Sequence, residues 1–283
     1  LSIITGCGDQ EGGAAAPSGG GKALPVRPLP IEKYLVDTSQ EKQLLQASKV
    51  LIAQCMKRFG FDYTGPDFEA TGTQHSSAAN RERRYGVADL QTAKSNGYHL
   101  PAPSGTSKGP TSPEQEMSEA EDRVFIGDAD PASGVHKGDK VNGSPIPTGG
   151  CSGEARRELG TDTEHALANE INTKSYVKSL ADPDVKSLFD SWASCMKKKG
   201  YRYASPPDAA DSASGEKADR KEIALAVADV ECKKDVDLLD AWHDVESRIQ
   251  EKMISEHEEA LVAEKKHMSA SLGAAAKVLE NSR

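Results

Sequence analysis

The chain has 283 residues, a formal net charge of −9, 28% charged and 36% hydrophobic residues, and only 5% aromatics. That is long enough for one or two domains but poor in core-forming side chains, so a packed core occupies part of the length and the rest is solvated. The acidic balance excludes a nucleic-acid binder that works through a basic face, and no run approaches the ~18 apolar residues of a membrane span.

Leu1 to Thr5 is a short apolar run that reads as the tail of a secretory h-region. It leads into Ile4-Thr5-Gly6-Cys7, which is similar to the bacterial lipobox, an aliphatic residue and two small residues before a cysteine. The similarity implies acylation of Cys7, with residues 1–6 as the remnant of a signal peptide. Gly8 to Lys22 is rich in Gly, Ala and Ser and reads as a flexible tether, so residues 7–30 form an anchor-and-tether segment.

A helix is expected next, capped by Ser39 and running through Leu44, Leu45, Ala47, Val50, Leu51 and Met56, with Arg58 and Gly60 closing it. Its end, A-Q-C-M-K-R-F-G-F-D-Y (Ala53 to Tyr63), returns 140 residues later as A-S-C-M-K-K-K-G-Y-R-Y (Ala193 to Tyr203). In the same register Glu82 meets Glu222, Val87-Ala88-Asp89 meets Val227-Ala228-Asp229, and Pro66 meets Pro206. Two blocks at one offset indicate a duplicated helical-hairpin module, residues 31–153 and 154–283, in which the Val-Ala-Asp block begins the return helix.

Segments 64–80, 99–110 and 128–153 are rich in Gly, Ser, Thr, Pro and Ala and read as loops. Ser112 with Gln115 has capping-box form and predicts a short acidic helix to about Val124; Thr161 with Glu164 predicts another over His165 to Ile171. Asp182 and Pro183 start a helix whose stripe is Val185, Leu188, Phe189 and Trp192, and whose last turn holds Lys197, Lys198 and Lys199. Leu238, Trp242, Val245, Ile249, Met253 and Leu261 recur at helical spacing, predicting a long amphipathic helix from Arg220 to Leu279, broken near Asp235 to Asp237 and packed on the Trp192 helix. The expected fold is therefore mainly α, stapled by disulfides.

The cysteines are Cys7, Cys55, Cys151, Cys195 and Cys232. An odd number in an exported chain calls for one thiol with a separate fate, and a lipid on Cys7 leaves four, with three possible connectivities. The first repeat has Thr92 where the second has Cys232, which favours Cys195 with Cys232 and, by elimination, Cys55 with Cys151.

Catalytic constellations are scarce. Gly105-Thr106-Ser107-Lys108-Gly109 matches G-x-S-x-G, but its Pro-rich flanks lack the strand and helix that a nucleophile elbow needs. His257-Glu258-Glu259 begins like a zincin motif, and Leu261 stands where the second histidine belongs. On a straight helix His243, His257 and His267 would lie about 15–21 Å apart along the axis, too far to share an ion. No P-loop, G-x-G-x-x-G or C-x-x-C is present. The repeated Asp89 and Asp229 and the repeated Tyr63 and Tyr203 read as structural anchors, together with Trp192 and Trp242. Lys197 to Lys199 reads as a solvated helix end, with acidic lipid or wall polymer as the sharper alternative.

The pattern W-x-x-C-M-x-x-x-G-Y-x-Y followed by A-V-A-D-x-x-C and a later Trp resembles uncharacterised exported lipoproteins of high-GC Gram-positive bacteria. It is carried by Trp192, Cys195, Met196, Gly200, Tyr201, Tyr203, Ala226 to Asp229, Cys232 and Trp242, while the first repeat departs with Ile52 and Thr92. The resemblance implies location and fold type rather than a reaction. The expectation is a binding or accessory module of the cell envelope with no catalytic activity, cofactor or metal, held on the outer face of the membrane by Cys7 (or secreted), with an envelope protein or wall polymer as partner and no nucleic acid. A hydrolase using an unrecognised carboxylate pair and a structural spacer are the alternatives. Two close acids of raised pKa in a pocket would favour the hydrolase; an exposed groove without them would favour binding.

Overall fold

The computed structural model describes residues 26–65, 78–100, 117–129, 134–162, 166–215 and 217–282. Among these the fold is almost entirely helical. A 3-10 turn at Pro30–Tyr34 is followed by α1 (Thr38–Arg58), α2 (Leu90–Asn96), α3 (Glu119–Ile126), α4 (Gly150–Leu159), α5 (Ala166–Ala181), α6 (Pro183–Lys198), α7 (Pro206–Asp211), α8 (Arg220–Asp235), α9 (Leu238–Glu256) and α10 (Glu258–Asn281). One two-residue hairpin, Lys140–Val141 with Ser144–Pro145, is antiparallel.

The helix starts follow side-chain capping, and in two places they correct the sequence expectation. Asp37, not Ser39, caps α1: its carboxylate accepts from the Gln40 amide at 2.9 Å and from the Ser39 hydroxyl at 2.6 Å. Ser118 caps α3 in a reciprocal box with Glu121; the expected Ser112–Gln115 box and the G-x-S-x-G segment lie outside the described residues. Glu164 also lies outside them, and α5 extends well beyond the expected Ile171, to Ala181. Asp182 and Pro183 open α6 as the sequence indicates.

The repeat is visible where the helix ends are built. Gly60 and Gly200 both have left-handed φ (82° and 92°). The amides of Phe61 and Tyr201 then return to the carbonyls of Met56 and Met196 at 3.1 and 3.0 Å. Both methionines are buried, so each repeat reverses direction over an equivalent apolar plug. The return helices differ. Asp89 is the N-cap of α2, whereas α8 begins at Arg220 and carries Asp229 in its interior.

The expected long C-terminal helix is three helices. It breaks at Val236–Asp237, where Asp237 takes φ +52°, and again at His257. The second break lacks Gly or Pro, which is why the apolar spacing alone did not reveal it. The turn lets α10 fold back on α1 and α4, while α9 packs on α5 and α6.

One core gathers around Trp192 and Trp242, both fully buried, with Val26, Tyr85, Val185, Phe189, Met196, Leu225 and Leu238. Tyr85 stacks on Trp242 at 4.6 Å and Phe189 meets it edge-on at 5.0 Å. A second core joins α1, α3, α4 and α10 around Cys55–Cys151, and a third seats Leu29 and Ile31 against α5, α9 and α10. Cys55–Cys151 spans 96 residues and Cys195–Cys232 spans 37, with Cα separations of 5.5 and 5.7 Å. The boundary at 153/154 falls inside α4, and the two repeats interleave, with α2 packed on α8 and α10 on α1.

Candidate functional site

Three places bring chemistry-bearing side chains together. The first is built on α6 and α8, which lie side by side: Cys195–Cys232 joins them near their C-terminal ends, and Trp192 reaches Asp229 one turn earlier. Asp229 is wholly buried, and its Oδ1 accepts from Trp192 Nε1 at 3.0 Å. Its Oδ2 faces Lys233 Nζ at 2.9 Å, one turn along α8, and Lys233 is 1% exposed. The Lys233 ammonium also donates to the Val87 carbonyl at 3.0 Å. Gly86 closes over this nitrogen: with φ +83°, a Cβ there would sit 2.9 Å from Nζ. The Tyr98 hydroxyl is buried and approaches the Asp229 carboxyl without completing a hydrogen bond. Burial pushes the Asp229 carboxyl up and the Lys233 amine down, and the nearby Arg83 cation adds to the latter.

The second cluster lies under α9. Glu246 is fully buried and receives Tyr85 Oη at 2.8 Å, Ser175 Oγ at 2.9 Å and the Arg84 guanidinium, whose Nε stands at 3.2 Å. Arg84 also donates to the Asn172 carbonyl at 2.6 Å and covers the Tyr176 ring. Gln250, one turn along α9, donates to Ser175 Oγ and accepts from the Ile31 amide at 3.0 Å. Trp242 Nε1 donates to Ser179 Oγ at 2.7 Å. Burial, with the Glu246 charge beside it, pushes the Tyr85 hydroxyl pKa up. The sequence reading missed Glu246 and Gln250. Their signal was two polar residues set on the apolar stripe of Trp242, Val245 and Met253.

The third is a surface groove of about 840 Å3 between α6, α9 and the strap formed by Arg27 to Pro30. Its walls carry both signs of charge: Arg27 pairs with Asp244 at 2.5 Å, and Arg248 with Asp184 across the groove at 3.3 Å. Ser187, Ser191, Ser247 and Leu188 line its floor and sides. His243 is 4% exposed, with Nε2 3.3 Å from the Pro28 carbonyl. The Ser247 hydroxyl stands 3.5 Å from both ring nitrogens, so it lies over the imidazole rather than in line with either lone pair, and the trio with Asp244 is not a nucleophile-activating triad. The Arg27 guanidinium holds the Asp244 carboxyl below its ordinary range. Asp229, whose carboxyl is pushed up, does not line this groove.

The remaining sequence-singled residues fall elsewhere. Asp89 accepts from the Thr92 amide and hydroxyl, both at 2.8 Å, so the repeated aspartates have different tasks. Tyr63 stacks on Phe125, and Tyr203 Oη accepts from Ser212 at 3.0 Å. Lys199 pairs with Glu231 at 2.7 Å. His243 belongs to α9, His257 to the break and His267 to α10. Among the described residues no group of His, Cys, Asp or Glu is arranged to hold a metal ion.

The two disulfides suit an oxidising, extracytoplasmic compartment. No helix among the described residues is long and apolar enough to cross a membrane. Comparison of the chain with family models, with curated proteins and with solved structures finds no match.

Proposed function

We propose that the protein is an extracytoplasmic lipoprotein, anchored through a lipid on Cys7, whose disulfide-stapled helical body is a binding or accessory module of the cell envelope. The observation that carries this reading is cysteine bookkeeping: four of five cysteines are joined in two bridges, and the fifth stands in Ile4-Thr5-Gly6-Cys7 ahead of a Gly-rich tract. Cys7 lies outside the described residues. On this reading the groove between the strap, α6 and α9 receives the partner, an envelope protein or wall polymer. Its mixed charges and serine hydroxyls suit a polar, charged surface better than a small apolar molecule.

Intact-mass analysis of the membrane fraction, with and without reduction, tests the reading. Diacylation on Cys7 and no free thiol before reduction is the expected result. Lipid on any other residue, or more than one free thiol in the mature chain, overturns it.

A further inference from the structure

We propose that the side chains of Asp229 and Lys233 are joined by an amide bond, forming a one-turn lactam on α8. This inference does not depend on the anchoring of Cys7.

The geometry places the two reacting groups in direct contact. The two residues stand one helical turn apart, the spacing at which side chains meet on one face. The Lys233 nitrogen is 2.9 Å from Asp229 Oδ2. Both are sealed from solvent, so no water competes as nucleophile. Burial pushes the Asp229 carboxyl up and the Lys233 amine down, toward the uncharged acid and amine that react to form an amide. Trp192 Nε1 donates to Oδ1 at 3.0 Å, and the buried Tyr98 hydroxyl, which completes no hydrogen bond, stands near the same carboxyl. The Trp192 N–H stands where negative charge develops on Oδ1 as the carbonyl becomes tetrahedral.

The Lys233 amine attacks the carbonyl carbon of the protonated Asp229 carboxyl, and charge gathers on Oδ1 beneath the Trp192 N–H. One amine proton passes to Oδ2, which already carries the acid proton and departs as water. One C–N bond forms and one C–O bond breaks. Nothing is oxidised or reduced, and no co-reactant is needed. The amide N–H keeps the hydrogen bond to the Val87 carbonyl that the amine made before. An ion pair that is expensive to bury is thereby replaced by a neutral, satisfied group.

The test reads the wild-type protein. The folded full chain is denatured, reduced, alkylated and digested with trypsin. An ion pair dissolves on unfolding and an amide does not. With the lactam, cleavage after Lys233 fails, and the peptide Glu222 to Lys234 is lighter by one water, with fragment ions placing the loss between Asp229 and Lys233. Lys233→Arg keeps the positive charge but cannot form the bond, so its peptide carries no loss. Cleavage after Lys233 at full mass overturns the proposal. So does a water-light peptide still cut after Lys233, which is a succinimide at Asp229, or a loss that persists in Lys233→Arg.

Discussion

Replacing Arg84 by Met should be the most damaging single change in the buried cluster around Glu246. The guanidinium side chain is 9% exposed and its partner Glu246 is 0% exposed, so Met keeps the aliphatic bulk while leaving a carboxylate in the interior without its counter-charge. Tyr85 and Ser175 still donate to Glu246, but the Arg84 bond to the Asn172 carbonyl is lost as well. Removing one partner of a buried pair costs about 3–5 kcal/mol. In a chain of this size that lowers Tm by about 6–20 °C, at roughly 2–4 °C per kcal/mol. Urea unfolding followed by tryptophan fluorescence is the assay, because Trp242 stacks on Tyr85 and Tyr176 beside the same cluster. The double variant Arg84→Met/Glu246→Leu should recover much of the loss, since it removes the orphaned charge together with its partner. A loss below about 1 kcal/mol for Arg84→Met, the range of a surface pair, would refute the reasoning.

Converting Cys195 and Cys232 together to Ala should lower stability by up to about 3.8 kcal/mol in the chain-entropy account of its loop, measured by the urea midpoint. The same change at Cys55 and Cys151, whose loop is longer, has a ceiling near 4.7 kcal/mol. If the longer loop proves the cheaper one to open, the entropic account fails. Asp37→Ala should cost about 1 kcal/mol through the lost cap of α1. Asp237→Gly, at φ +52°, should instead stabilise by up to about 1 kcal/mol, and a destabilised variant would show that the Asp237 side chain has a task of its own. The Asp244 carboxyl lies below its ordinary value of 3.8, so its contribution is present above that pH and fades as pH falls through the lowered value. Amide exchange at Arg27, Leu29 and Ile31 should rise on that acid limb, and more so at low salt, since both partners are exposed.

What the sequence made legible was local. The duplicated Met-x-x-x-Gly ending, the Asp182–Pro183 start and the Trp192 stripe each rest on spacing within one helix, and all are present. The bridge partners also followed from the chain alone, because the repeat lacks its own Cys at Thr92. The break at His257 was hidden, because polar neighbours continue the helical pattern through it. The groove was hidden too, since it is formed by residues from the strap and from two helices far apart in the chain. The identity of Asp89 and Asp229 in the repeat suggested one role for both. Context separated them: the first caps a short helix, while the second sits against Trp192 because α8 begins earlier and carries it inward.

The strap has a mechanical meaning as well as a structural one. Where the chain joins the body, Arg81 donates to the Val26 carbonyl, Arg27 grips Asp244, the Pro28 carbonyl meets His243, and the Ile31 amide ends on Gln250. Val26, Leu29 and Ile31 are buried between those fastenings. A pull on residues 1–25 therefore meets several attachments in succession rather than one, beginning at Val26 in the tryptophan core and passing next to Arg27 and Pro28 on the wall of the groove. Whatever restrains the leading segment is thus coupled both to the tryptophan core, through Val26, and to the groove's width, through Arg27 and Pro28, making the strap a handle on the surface beside α9.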